Sequence, residues 1–128
     1  MKKRPDVREW IVKAEQDYQT AEVMSRKRKV PVTDVVGFHS QQCIEKYLKA
    51  LLVLKKQDFP KTHDLIELLE IAIKKEPLLD AIRLDLRILN PFSVQFRYPG
   101  ESATLEESRM ALTAMRRARK YITERLAF

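Results

Sequence analysis

The residues of this chain whose types could do chemistry are few. His39, Gln42, Lys46 and Lys49 are polar positions in an otherwise apolar segment, His63-Asp64 follows a threonine, and Arg97 stands between Phe96 and Tyr98. A histidine can exchange a proton near neutral pH. Lysine offers phosphates a point charge, and arginine offers a planar fork that fits phosphate or carboxylate. Wound at about 100° per residue, His39, Gln42, Lys46 and Lys49 fall within about 80° of one another, with Glu45 at the edge of the stripe. A nearly all-apolar helix keeps such a stripe where it faces solvent, a partner or a ligand. Arg97, flanked by aromatics and followed by Pro99, loses little freedom on gripping an anion, which makes it a candidate for binding or for an interface. His63 is either a tolerated helix-start residue or part of the same constellation.

Other chemistries lack their residues. Two histidines and the single cysteine, Cys43, fall short of a zinc site, so no metal and no cofactor is expected. With only Gly37 and Gly100, a glycine-rich phosphate loop or a dinucleotide fingerprint cannot be built. Carboxylate pairs such as Glu106-Glu107 stand in a first helical turn, where they complement the dipole without acid–base work.

The elements that must position these residues read as helices. The chain has 128 residues, 45% apolar and 34% charged, the size of one domain, here 1–128, and a composition short of the glycines that sheets need at hairpins. Val7, Trp10, Ile11, Ala14, Tyr18, Ala21 and Met24 recur at helical steps, and Asp6-x-x-Glu9 can form a capping box, predicting a first helix over about 6 to 27. Pro31 enforces a turn, and Thr33 or Asp34 can cap a second helix reaching residue 54, apolar around most of its circumference and therefore central. Thr62 is the expected cap of a third helix carrying Leu65, Leu68, Leu69 and Ala72. Pro77 opens a fourth through Leu79, Ile82, Leu86 and Leu89, which stops before Asn90-Pro91. Residues 91 to 103, with two prolines, a glycine and three aromatics, predict an ordered connection. Thr104-x-x-Glu107 is a capping box for a last long helix. The fold class is all-α: an antiparallel up-and-down helical bundle of four to five helices. Trp10, Tyr18 and Tyr47 lie on apolar faces and read as packing residues.

The formal charge is +7, from 25 Lys+Arg against 18 Asp+Glu. It concentrates in Lys2-Lys3-Arg4, Arg26-Lys27-Arg28-Lys29 and Arg116-Arg117-Ala118-Arg119-Lys120, runs that read as solvated faces or as a polyanion-attracting surface. One cysteine allows no intrachain disulfide, and the basic start lacks an apolar stretch behind it, so a cytoplasmic protein with no membrane span is expected.

Phe38-His39-Ser40-Gln41-Gln42-Cys43-Ile44-Glu45-Lys46-Tyr47-Leu48-Lys49-Ala50, then Thr62-His63-Asp64-Leu65, then Phe96-Arg97-Tyr98-Pro99 resemble, in order and spacing, the HEPN (higher eukaryote and prokaryote nucleotide-binding) domain family. Trp10-x-x-x-Ala14-x-x-Asp17-x-x-x-Ala21 is similar to its first helix. The resemblance spans about residues 6 to 125. It implies an up-and-down bundle that pairs as a homodimer, nucleotide binding in some members, and a separate minimal nucleotidyltransferase as gene partner in toxin–antitoxin pairs. It also implies, for many toxin members, a metal-independent ribonuclease with an Arg-x(4–6)-His motif. That motif is missing: Asp34, Thr33 and Val32 precede His39 at the required spacings, and Asp58, Gln57 and Lys56 precede His63.

Binding therefore ranks above catalysis. The leading expectation is a nucleotide-binding or protein-assembly module, partnered by a nucleotidyltransferase, in which His39, Gln42, Lys46, Lys49, His63, Arg97 and Tyr98 meet a nucleotide or a partner. The alternatives are a ribonuclease toxin with a divergent site using His63 and Arg97, and a non-catalytic bundle that binds RNA or other nucleic acid through its basic ends.

Overall fold

A computed structural model describes residues 5–29, 31–96 and 99–126. Among them the regular structure is entirely helical: α1 (Val7–Ser25), α2 (Thr33–Leu54), α3 (Leu65–Ala72), α4 (Arg83–Leu89) and α5 (Leu105–Leu126), with short 3-10 helices at Pro77–Ile82 and Asn90–Ser93. The all-α bundle expected from periodicity is the observed architecture, with α1, α2 and α5 the long elements. In the connection after α4, Phe92 is buried and its ring meets that of Phe96 at a tilt, with centroids 4.9 Å apart.

The caps of α1 and α5 form where the sequence places them. Asp6 accepts from the Glu9 N–H while Glu9 accepts from the Asp6 N–H, and Thr104 and Glu107 do the same for α5. Two other starts differ. α3 is capped by Asp64, which accepts from the Ile66 and Glu67 N–H groups, and Thr62 instead accepts from the Asp64 N–H. α2 has no side-chain cap. Thr33 donates to the Ala103 carbonyl at 2.7 Å and Asp34 accepts from the Ala103 N–H at 2.6 Å, so both side chains clamp the start of α2 to the approach to α5.

The expected fourth helix is split. Its first part, Pro77–Ile82, winds as a 3-10 helix, in which residues three apart eclipse. That places Leu79 and Ile82, both buried, on one side and leaves Leu78 out in solvent at 68% exposure.

α2 is the axis of the bundle, in contact with α1, α3, α4 and α5. Its core face includes Ile44, Tyr47, Leu48, Leu51 and Leu52, all buried. Gly37 marks a tight approach of α2 to the Phe92 ring: a Cβ there would fall 2.0 Å from Cδ1 of Phe92. Helix propensity alone would make Gly37→Ala stabilising by about 1 kcal/mol. The contact with buried Phe92 reverses the sign, and we expect a loss of about 1–3 kcal/mol, read as a lower thermal midpoint; an unchanged or raised midpoint would show that the ring is free to move.

Candidate functional site

The polar stripe of α2 turns inward, toward α1 and the start of α3, and two buried carboxylates organise it. Asp17 lies on α1 between the buried Ala14 and Ala21 and is itself buried. One of its oxygens accepts from His39 Nδ1 at 2.7 Å, the other from Lys46 Nζ at 2.5 Å. Glu45 is only 3% exposed. It accepts from Lys49 Nζ at 3.0 Å, from His63 Nδ1 at 2.9 Å and from the amides of Gln41 and Gln42 at 3.2 and 3.4 Å. Gln41 also donates to the His63 carbonyl, tying α2 to the turn before α3.

The same pattern thus occurs twice beside α2, completed once by Asp17 of α1 and once by His63 before α3: a buried carboxylate, a histidine and a lysine. The geometry follows from burial, because an unpaired carboxylate or ammonium between packed helices would cost several kcal/mol in lost hydration. The two histidines differ in access. The His39 side chain is 29% exposed, whereas that of His63 is 69% exposed over its buried partner. With Nδ1–H given to a carboxylate, Nε2 of His63 is the ring nitrogen left to meet a ligand.

Of the residues singled out by sequence, His39, Gln42, Lys46, Lys49 and His63 are drawn into this network. Arg97 and Tyr98 lie outside the described residues. Lys46 and Lys49 already carry ion-pair partners, so each would meet a phosphate as part of a near-neutral pair. Lys49 also stands 5.4 Å from the Trp10 ring centroid and lines a cleft of about 540 Å³ shared with Trp10, Lys56 and Phe59. Asp17, Gln41 and Glu45 are the residues that periodicity passed over as partners. The signal for Asp17 was its spacing, three residues after Ala14 and four before Ala21, on the apolar face of α1.

Asn90 was also missed. Its side chain accepts from the Leu65 N–H and donates to Asp64, so it secures the turn that carries His63. The Asn90 amide, acting against partial burial, holds the Asp64 carboxyl below its usual range.

Ion pairs elsewhere join α5 to the rest. Arg119 grips both oxygens of Glu15 at 2.8 and 2.9 Å, and the Tyr47 hydroxyl donates to the same carboxylate. Arg116 grips both oxygens of Glu22 at 2.7 Å, and Arg117 bonds Asp85. Three members of the basic run expected as a solvated or polyanion-attracting face are therefore interhelical ties. Cys43 is fully buried, and burial pushes its thiol well up, away from thiolate chemistry. Among the described residues no cluster of three potential ligands could hold a metal ion, and no helix is long and apolar enough to cross a membrane.

The HEPN domain family profile matches residues 7–126, and the chain belongs to that family. No curated protein and no solved structure matches it.

Burial raises the Glu15 carboxyl, but its bonds to Arg119 and Tyr47 outweigh that, and the net direction is down from 4.5. Glu22, held chiefly by Arg116, also titrates below 4.5. Groups lowered in the folded state add stability above their unfolded pKa and lose it as pH falls through the folded one. The thermal midpoint should therefore be flat near neutrality and fall progressively below about pH 4.5, with a shallower fall in Glu15→Gln. An identical acid profile in that variant would show that the Glu15 cluster contributes nothing to the linkage.

Proposed function

We propose that this HEPN domain, residues 1–128 acting as one unit in the cytoplasm, is a nucleotide-binding and protein-assembly module. It works as a homodimer and as the partner of a separately encoded minimal nucleotidyltransferase in a toxin–antitoxin type pair. The observation that carries this reading is the exposed His63 imidazole fixed by buried Glu45, with Lys49 on the same carboxylate and an aromatic cleft beside Lys49. Such a group is oriented at little entropic cost and can donate to or accept from a base edge, a phosphate or a partner main chain. His39, Gln42 and Lys46 extend the same face, and Arg97 and Tyr98 complete the set proposed to meet the ligand.

The same His63–Glu45 pair supports a second reading, ribonuclease activity through a divergent site in which His63 is the base and Arg97 the phosphate clamp. It ranks below binding because the Arg-x(4–6)-His motif is missing from the sequence.

One set of variants tests both. ATP, GTP and short RNA are titrated against the wild type, His63→Ala and Arg97→Ala, and each protein is expressed in a bacterial host with growth and RNA integrity followed. Binding weakened about tenfold or more in both variants, with unimpaired growth, is the expected result. Equal affinity in all three proteins would remove these residues from the site. Growth arrest with RNA cleavage by the wild type alone would put the ribonuclease first.

A further inference from the structure

The run Arg26-Lys27-Arg28 at the end of α1 is not accounted for by any of these contacts. Where Arg116, Arg117 and Arg119 are each held by a carboxylate, these three side chains are exposed and have no ion pair among the described residues. Arg109, from the first turns of α5, is in the same condition, and the four together line a cavity of about 510 Å³ between the end of α1 and the starts of α2 and α5. Among the described residues, no acidic one lines it. The carboxylate whose charge Arg26 does meet is Glu22, and both Glu22 oxygens are already gripped by Arg116.

Four cations brought to one cavity repel one another, and an anion relieves that repulsion. Three of the four are arginines, whose forked donors fit phosphate oxygens two at a time. The wall is not polar throughout: Met24, Val36 and Leu112 supply an apolar surface, of no use to an inorganic ion. The hydroxyls of Ser25, Thr33 and Ser108 already donate to main-chain carbonyls, so the cations are left to recognise the charge. The volume lies within the range of about 300–1,000 Å³ common to small-molecule sites.

We propose that this cavity is a second binding site, for a small organic polyphosphate whose anionic groups sit on Arg26, Lys27, Arg28 and Arg109 and whose apolar portion rests on Met24, Val36 and Leu112. It is separate from the α2 face and does not depend on the reading of His63.

The test is calorimetric titration of ATP and of inorganic tripolyphosphate into four proteins: the wild type, Arg28→Gln/Arg109→Gln, His63→Ala, and Lys74→Gln/Lys120→Gln. The last removes the same charge from exposed positions outside the cavity. The proposal expects ATP to bind His63→Ala, which lacks the other site, more tightly than tripolyphosphate does, and tripolyphosphate to lose about tenfold or more in Arg28→Gln/Arg109→Gln. Tripolyphosphate binding should change less than about twofold in the other two variants. Equal losses in the two double variants would reduce the effect to net charge and overturn the proposal, as would failure of either anion to bind. A short oligouridylate that displaced ATP with affinity rising with its length would make the surface a polynucleotide track, and the small-molecule site would be wrong.

Discussion

α2 is enclosed by its neighbours along most of its length, yet its sequence carries Gln41, Gln42, Glu45, Lys46 and Lys49 among the apolar residues. A charge enclosed in this way is tolerated only if a partner of opposite sign is already in place. That requirement explains the position of Asp17 on α1, the reach of Lys46 and His39 toward it, and the folding of Lys49 back onto Glu45 one turn away. It also fixes the turn before α3, because Glu45 and Gln41 take hold of His63 by ring and by main chain. The register of α1 on α2 and the placement of the exposed imidazole follow from one constraint.

The outer ties extend the same logic. Glu15 is shared by Tyr47 of α2 and Arg119 of α5, so α1, α2 and α5 meet at one carboxylate. Arg119 is also stacked 3.9 Å from the Tyr18 ring centroid, which desolvates the pair on one side and gives it more weight than an open surface bridge. Charge that looked like a solvated surface in the sequence is consumed in holding helices together, and the cations left unpaired at the end of α1 stand out by contrast.

Most of the bundle was legible in the residue pattern because long amphipathic helices with capping boxes, such as Asp6-x-x-Glu9 and Thr104-x-x-Glu107, need only local information. The departures arise where a distant residue competes for a local role. Thr33 and Asp34 have the chemistry of caps, but Ala103, far along the chain, takes both side chains. Thr62 lost the capping of α3 to Asp64 because Asn90 steadies that carboxylate from across the fold. The site was half visible: the stripe of His39, Gln42, Lys46 and Lys49 could be drawn on a wheel, whereas its direction could not, since an inward-facing polar stripe and an exposed one have the same spacing. Only the buried carboxylates decide between them, and those come from another helix for Asp17 and from the stripe's edge for Glu45.

A buried carboxylate, Glu45, holds the His63 ring, and nitrogen-detected NMR of the two imidazoles reads that bond. The His63 Nδ1 proton is expected to be hydrogen-bonded and slow to exchange in the wild type, and to lose this protection in Glu45→Gln while the His39 signals, tied to Asp17, stay in place. A His63 ring with the shifts and rapid exchange of a free imidazole in the wild type would contradict it.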